Sequence, residues 1–210
     1  MTIFPAMFDS YFGESIIARA RKAKLIHIDV YNLREHTKDK HKKVDDKPYG
    51  GGPGMVMTVD PIVRAVEKIK QKINRRKNTK TLVVLFTPEQ TPFTTTLAKK
   101  YATKYTDIIM VCGRYEGIDA RVKEVLEAVE LSIGDYVLTG GEIPAMILVD
   151  CVSRQIEGVL GDFESLEESR ASSHDVYTRP AEYTHKGKNY VVPEVLQNGN
   201  HKEIDKWRSK

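Results

Sequence analysis

Three glycine-rich segments mark places where the backbone of this chain could bind a ligand. The first, Thr139-Gly140-Gly141, precedes a helical pattern that opens at Glu142, and glycines in front of a helix leave N–H groups free to donate. The other two are Tyr49–Met57, YGGGPGMVM, and Cys112–Asp119, CGRYEGID. One Gly-Gly turn alone is an ordinary connection, but three such segments in one chain favour loops that line a ligand site.

The elements that must position these segments alternate between strands and helices. Thr81–Phe86 and Asp107–Val111 are continuous apolar runs with the length of strands buried on both faces, and Val129–Ile133 is a third candidate. Four helices are predicted. The first runs from Asp60 to about Asn74, the second starts at Thr91-Pro92, the third follows CGRYEGID and ends at about Ala128, and the fourth runs from Glu142 to about Ile156. This alternation predicts an α/β fold with a parallel sheet.

In a parallel sheet, ligands bind outside the carboxyl ends of the strands. Three loops have that placement: Thr87–Gln90, the CGRYEGID segment, and the GDYVLTGG segment around Tyr136–Leu138, a stretch that is itself predicted to be extended. Their convergence predicts a pocket. None of the three contains GxGxxG in the dinucleotide-binding position or GxxxxGK[ST], so both nucleotide-binding signatures are missing.

Weaker patterns precede the sheet. Thr2–Phe8 predicts a short strand, the region near Tyr11–Ala23 an amphipathic helix, and Leu25–Tyr31 a half-buried strand, because its apolar and polar residues alternate. His36 and His41 lie in the polar segment that follows. No cysteine or third ligand stands at a suitable spacing, so no metal site is predicted there.

The composition of the 210 residues, 40 % hydrophobic and 30 % charged, is that of a soluble globular protein. A long apolar run and a signal peptide are both missing, which predicts a cytoplasmic protein without membrane contact. Cys112 and Cys151 lie in apolar surroundings and are expected to be buried and reduced. The net charge is +4, and the basic run Arg64–Lys80 is either a solvated helix face or a nucleic-acid contact.

A polar, acidic and serine-rich region, Gly161–Val176, is typical of a linker or mobile loop. It separates a domain of residues 1–160 from a small C-terminal subdomain of residues 177–210. In that subdomain Asn200 has the position of an N-cap for a helix through Trp207, so the subdomain is predicted to be mainly helical.

Six segments stand in the order and spacing found in the bacterial tRNA (guanine-N1)-methyltransferases of the TrmD family: VDDKPYGGGPGMVM, CGRYEGID, SIGDYVLTGGEIPA, DCVSRQIEGVLG, YTRP and NGNHKEIDKWR. The chain resembles this family from Thr2 to about Arg208. The resemblance implies a SPOUT-class α/β fold whose parallel sheet holds a deep trefoil knot, with S-adenosylmethionine bound in the knot. It further implies methylation of N1 of the guanosine immediately 3′ of the tRNA anticodon. A homodimer that completes each active site across its interface is implied as well, with assistance from Mg²⁺ that has no fixed protein ligand.

Carried over residue by residue, the resemblance assigns cofactor binding to the loops, mainly through backbone groups. The implied residues are Pro88, Gly113, Tyr115, Glu116, Ile133, Gly134, Asp135, Tyr136, Val137, Leu138, Gly140, Gly141 and Pro144. Arg154 in DCVSR matches the catalytic arginine of the family, and Glu116 matches the carboxylate between cofactor and guanine. An arginine aimed at O6 would stabilise negative charge that develops on the guanine ring.

The general base is the point at which this chain departs from the family. A base is needed because neutral guanine N1 carries a proton, and a carboxylate is suited to remove it. The family has an aspartate in a D-S-F-like segment before YTRP, whereas this chain has Glu167-Glu168-Ser169-Arg170 in a stretch that looks shorter. By position Glu168 replaces that aspartate, and Glu167 and Asp175 are rivals.

Two alternatives stay open at this stage. One is another SPOUT methyltransferase that acts on a different RNA site, and the other is a catalytically weak RNA-binding relative. The family usually continues beyond Trp207 with another basic helical stretch, so a shorter C-terminus is expected to weaken the grip on tRNA.

Overall fold

The computed structural model describes residues 1–161 and 175–208. These residues fall into two compact units that are divided after Gly161. Most of the predicted linker lies outside the described residues. Within the described ranges, none of the helices combines the length and apolar character that a membrane span needs, and no three His, Cys, Asp or Glu side chains cluster as metal ligands would.

The N-terminal segment is helical where a strand was predicted. A 3₁₀ turn at Pro5–Phe8 leads into α1, Asp9–Phe12, and α2 follows at Ser15–Lys22. The prediction for Thr2–Phe8 is wrong because Pro5, with its fixed φ, opens a helical turn, and Thr2 alone forms a bridge to Asn32. The single helix predicted near Tyr11–Ala23 is interrupted between α1 and α2.

The strand predicted at Leu25–Tyr31 is also wrong. Within residues 1–161 and 175–208 the segment has no ladder partner, and its alternation only half-buries Ile26 and Ile28. Two-residue strands β1, Asp45–Asp46, and β2, Val56–Met57, then pair antiparallel. The helix α3, Val59–Ile73, begins one residue before Asp60, which lies in its first turn, and the N-cap is Thr58.

A three-stranded parallel sheet forms the centre of the first unit, in the order β4-β3-β5. Its strands are β3, Thr81–Pro92, β4, Asp107–Val111, and β5, Val129–Ser132. Val84 in the central strand has no exposed surface, as expected for a strand buried on both faces. The predicted parallel α/β sheet is confirmed.

The central strand β3 does not end at Phe86 as predicted. It continues to Pro92 with a register shift, and Leu131 of β5 is the pairing partner of both Phe86 and Thr91. Residues 87–90 therefore leave the sheet and return to the same partner. Because Thr91 and Pro92 belong to this strand, the predicted helix starts later, as α4 at Thr95–Lys104.

The remaining helices and loops of the first unit differ from the predictions mainly at their ends. The helix α5 spans Arg121–Leu126, and α6 spans Glu142–Ser153 instead of reaching Ile156. Residues 133–141 form one loop, so no strand is found at Tyr136–Leu138, where an extended segment was predicted. Cys112 and Cys151 are not joined by a disulfide; Cys112 is buried, and burial raises the pKa of its thiol to about 12, whereas Cys151 is half-buried.

The described part of the second unit contains a β-hairpin as well as a helix, so the prediction of a mainly helical subdomain is wrong. The strands β6, Glu182–His185, and β7, Lys188–Val191, pair antiparallel around Lys186-Gly187, which both have positive φ as a two-residue hairpin turn requires. A 3₁₀ turn at Glu194–Leu196 and the helix α7, His201–Arg208, follow. The helix begins directly after Asn200, as predicted.

A buried histidine makes the stability of the first unit depend on pH. His36 is 8 % exposed, and burial together with nearby Lys68 lowers its pKa below the usual 6.5. The unfolded chain therefore binds this proton more readily, so the free energy of unfolding should rise with pH up to about 6.5 and level off above. Urea denaturation at about pH 5 and about pH 7.5 measures the rise, and His36→Gln should reduce it. An equal rise in the variant would contradict the assignment to His36.

Candidate active site

A cavity of about 430 Å³ opens at the carboxyl ends of the parallel strands. Residues 85–88, 113–120, 133–134 and 136–141 line it, so the three predicted loops meet at one place. The volume lies within the range of sites that bind small molecules and cofactors.

The family-derived cofactor residues gather at this cavity. Asp135 is the exception: its side chain is exposed, and it is not among the lining residues. The others line the wall: Pro88, Gly113, Tyr115, Glu116, Ile133, Gly134, Tyr136, Val137, Leu138, Gly140, Gly141 and Pro144.

Close backbone packing joins the second and third loops. The N–H of Gly141 donates to the carbonyl of Gly113 at 2.9 Å. A Cβ atom at Gly141 would lie 2.7 Å from Cys112 Cα, which is closer than such atoms approach in proteins. Glycine is therefore required here for space, since its φ of −84° is open to any residue.

A buried hydroxyl joins the first and third loops. Ser132 Oγ lies 3.0 Å from the carbonyl oxygen of Pro88 and 3.0 Å from that of Gly134, and it accepts from the N–H of Gly134 at 3.2 Å. Sequence reasoning did not single out Ser132. The available signal was a polar residue at the end of an otherwise apolar strand, directly before Ile133-Gly134.

The YGGGPGMVM segment packs against the second loop without lining the cavity itself. Glu116 N–H donates to the Met55 carbonyl at 3.0 Å, and Met57 N–H donates to the Gly117 carbonyl at 2.9 Å. A Cβ atom at Gly54 would overlap the Glu116 side chain. No residue of this segment belongs to the cavity wall, so the segment does not line this cavity as predicted. It contacts Glu116, which does.

The predicted catalytic residues are not all at the cavity. Glu116 lies on its wall. Arg154 is the half-buried C-cap of α6, whose N-terminus forms part of the wall, so it lies about 18 Å from that end at 1.5 Å per residue. Glu167 and Glu168 fall outside the described residues, and the rival base Asp175 is exposed.

The full length of the chain matches one family. The family model of the tRNA (guanine-1)-methyltransferase TrmD matches residues 1–210. The chain belongs to the TrmD family.

Curated TrmD relatives cover nearly the whole chain. The tRNA (guanine-N(1)-)-methyltransferase of Ruminiclostridium cellulolyticum is 46 % identical, over 99 % of this chain and 87 % of the relative. That of Clostridioides difficile is 45 % identical, over 99 % of this chain and 88 % of the relative. The crystal structure of the tRNA (m1G37) methyltransferase from Aquifex aeolicus matches with a TM-score of 0.79 and 36 % identity, over 99 % of this chain and 84 % of that chain.

The charges on the cavity wall suit the cationic cofactor of TrmD enzymes. The wall carries three carboxylates and two cationic side chains: Glu116, Asp119 and Glu130, and Arg114 and Lys123. Lys123 pairs with Glu130 at 2.5 Å. Hydrogen bonds from Arg121 hold the pKa of Asp119 below its usual range, so that carboxylate is charged at neutral pH. A wall with an excess of negative charge fits a ligand that carries a sulfonium.

Proposed function

We propose that this protein transfers a methyl group from S-adenosylmethionine to N1 of the guanosine immediately 3′ of the tRNA anticodon. The observation that carries the proposal is the convergence of three loops on one cavity at the carboxyl ends of the sheet, in a chain whose full length matches the TrmD family. The trefoil knot implied by the family belongs to the proposal. Its support is the excursion of residues 87–90, whose two flanks pair with the same residue, Leu131.

Cofactor binding is assigned to the backbone of the loop residues. Glycine at 113, 134, 140 and 141 keeps side-chain atoms off the main chain, so a ligand can approach it. The backbone N–H and carbonyl groups that the loops do not use among themselves can then fix adenine and ribose. S-adenosylmethionine supplies a methyl group that is already activated on its sulfonium. The contribution of the chain is then to hold that methyl carbon in line with guanine N1 and to exclude water.

The chemical roles follow from the needs of guanine N1. Glu168 would take the N1 proton, so that the N1 lone pair forms the new N–C bond while the C–S bond breaks and S-adenosylhomocysteine leaves. Arg154 would donate hydrogen bonds to O6 as negative charge develops there. Glu116, on the cavity wall and supported by Met55, would lie between the cofactor and the guanine.

A homodimer with shared sites is supported by the position of Arg154 and by exposed apolar side chains. An arginine about 18 Å from the cavity end of α6 is too far to act on a guanine held at that cavity, so it would serve the site of a second copy. Phe4, Met7 and Tyr11 are 44 %, 41 % and 41 % exposed at a helical spacing, and Ile143 on α6 is 50 % exposed. Exposed large apolar side chains are expected where a partner surface covers them. No residue of this chain is proposed as a ligand for Mg²⁺.

One face of the hairpin in the second unit is suited to tRNA. The strand alternation places Tyr183, His185, Lys188 and Tyr190 on the same face, and the two tyrosines are 60 % and 49 % exposed. Tyr183 stacks on His185 with 9° between the rings, and Lys188 lies over the Tyr190 ring. Exposed aromatic rings beside basic groups bind unstacked bases.

Replacement of both tyrosines by alanine should weaken tRNA binding. Stacking on an aromatic ring is worth roughly 1–3 kcal/mol per base, so the KM for tRNA should rise about tenfold or more while the KM for the cofactor stays unchanged. The matched control is Thr184→Ala with Val191→Ala on the opposite face. Unchanged tRNA affinity in the tyrosine variant would remove this surface from the proposal.

The function itself is tested by methyl transfer from labelled S-adenosylmethionine to unmodified tRNA transcripts. Transfer should occur to a transcript with guanosine immediately 3′ of the anticodon and be lost when that guanosine is replaced by adenosine. Transfer to both transcripts would favour another SPOUT methyltransferase with a different site. Cofactor binding without transfer to either transcript would favour a non-catalytic RNA-binding relative.

The identity of the base gives a separate prediction. Glu168→Gln should lower kcat by about 100-fold or more, because general base catalysis contributes roughly 10²–10⁴-fold, while the affinity for S-adenosylhomocysteine is retained. Glu167→Gln and Asp175→Asn are the matched controls and should retain activity. If Asp175→Asn alone is inactive, the assignment of Glu168 is wrong and the proposed reaction stands.

A further inference from the structure

A buried ion pair lies where the second loop meets the start of α6. Glu142, the first residue of α6, is 1 % exposed, and its Oε2 lies 3.0 Å from Arg114 Nη2, on a side chain that is 15 % exposed. Among the described residues, Glu142 Oε2 and Arg114 Nε have no aligned hydrogen-bond partner. A buried pair with this geometry is a poor source of net stability, which favours a role in holding position.

The carboxylate of Glu142 is fixed from a second direction. The Thr2 hydroxyl donates to Glu142 Oε1 at 2.6 Å, and Thr2 Oγ1 accepts from the N–H of Phe4 at 2.9 Å. Glu142 thus joins the N-terminal segment to the start of α6 and presents its other oxygen to Arg114.

From this anchor, Arg114 reaches the loop that carries most of the family-derived cofactor residues. Its Nη1 donates to the carbonyl of Thr139 at 3.2 Å, and its guanidinium carbon lies 4.7 Å from the centre of the Phe4 ring. A Cβ atom at Gly140 would overlap Arg114 Nε, so the backbone of the loop rests directly on this side chain.

We propose that Arg114 and Glu142 are positioning residues for cofactor binding. Glu142 fixes the guanidinium, and the guanidinium fixes the carbonyl of Thr139 and the backbone of Gly140. Other residues of the same loop are exposed, with Val137 at 83 %, so they hold the loop less firmly. The contact of Arg114 with Thr139 and Gly140 therefore fixes the position of this part of the cavity wall. The inference rests on the proposed function, since it assigns the S-adenosylmethionine site to this cavity.

The test measures cofactor affinity and kinetics for Glu142→Gln and Arg114→Lys. Glu142→Gln keeps an acceptor for Thr2 but removes the charge that holds Arg114. Arg114→Lys keeps a positive charge near Glu142 but removes the planar fork. In both variants the charge-assisted hydrogen bond from Arg114 Nη1 to the Thr139 carbonyl is weakened or lost. The KM for S-adenosylmethionine and the calorimetric Kd for S-adenosylhomocysteine should therefore rise about tenfold. The kcat at saturating cofactor and the KM for tRNA should stay within about twofold.

A control ion pair separates this role from general stability. Arg76→Gln removes the Arg76–Asp107 pair at the amino end of β4, away from the cavity, and should leave cofactor affinity unchanged. The inference is overturned if both site variants bind S-adenosylhomocysteine as wild type does, or if Arg76→Gln weakens binding equally. If the wild type itself does not bind S-adenosylhomocysteine, the proposed function fails instead.

Discussion

Gly141→Ala is expected to weaken cofactor binding strongly. The added Cβ would lie 2.7 Å from Cys112 Cα and 2.9 Å from the Gly113 nitrogen, and both atoms belong to the backbone of the second cavity loop. Because neither can turn aside as a side chain does, the second loop must move away from α6. Overpacking of this kind is worth roughly 1–3 kcal/mol, so the Kd for S-adenosylhomocysteine should rise by up to about 100-fold.

The matched control for this prediction is Gly161→Ala. A Cβ atom at Gly161 would meet nothing within 4 Å, so the same chemical change should leave binding and melting temperature unaltered. Calorimetric titration with S-adenosylhomocysteine and thermal denaturation of both variants provide the measurement. Cofactor binding by Gly141→Ala at wild-type affinity would show that the gap between the two loops is not needed.

The second large effect concerns the proposed sharing of active sites between two copies of the chain. Arg154→Ala should lower kcat by about 100-fold or more without loss of cofactor binding, because in the proposed mechanism the lost group stabilises charge in the transition state. At a cofactor concentration near the wild-type KM, Gly141→Ala should be nearly inactive for the different reason that its own cavity binds the cofactor poorly. If Arg154 acts in the site of the partner subunit, a mixture of these two inactive variants contains one working site in every mixed dimer.

Subunit exchange in an equal mixture should therefore restore about a quarter of the wild-type activity, since roughly half of the dimers are mixed and each keeps one of two sites. The measurement is methyl transfer after the two proteins have been incubated together. A mixture of Arg154→Ala with itself is the control and should stay inactive. Formation of mixed dimers without recovered activity would place Arg154 in the same site as the cavity of its own subunit.

The sequence was most informative where one short segment determines its own environment. Thr81–Phe86 and Asp107–Val111 are strands because continuous apolar runs of that length are stable only when buried on both faces. The loops after them lie at the carboxyl edge for the same topological reason, which is why the cavity could be anticipated before its residues were seen together.

Features that depend on distant partners could not be read in the same way. Alternation at Leu25–Tyr31 resembles a strand, but a strand also needs a neighbour to pair with, and the segment has none among the described residues. The link from Thr2 to Glu142 joins residues 140 positions apart, so no local pattern could reveal it. The hairpin in the second unit had a local signal, the Lys186-Gly187 turn between alternating residues, which was overlooked.

The pairing of two separate β3 residues with Leu131 delays completion of the sheet while the chain is synthesised on the ribosome. The pairing partner of Phe86 and Thr91, Leu131, is synthesised about 40 residues after them. At roughly 5–20 residues per second this delay lasts a few seconds. Until then the β5-facing edge of β3 is unpaired, and the Pro88 carbonyl lacks the Ser132 hydroxyl that later contacts it. The nascent chain therefore carries an open, aggregation-prone edge during this interval, and the ligand cavity is among the last parts of the domain to be assembled.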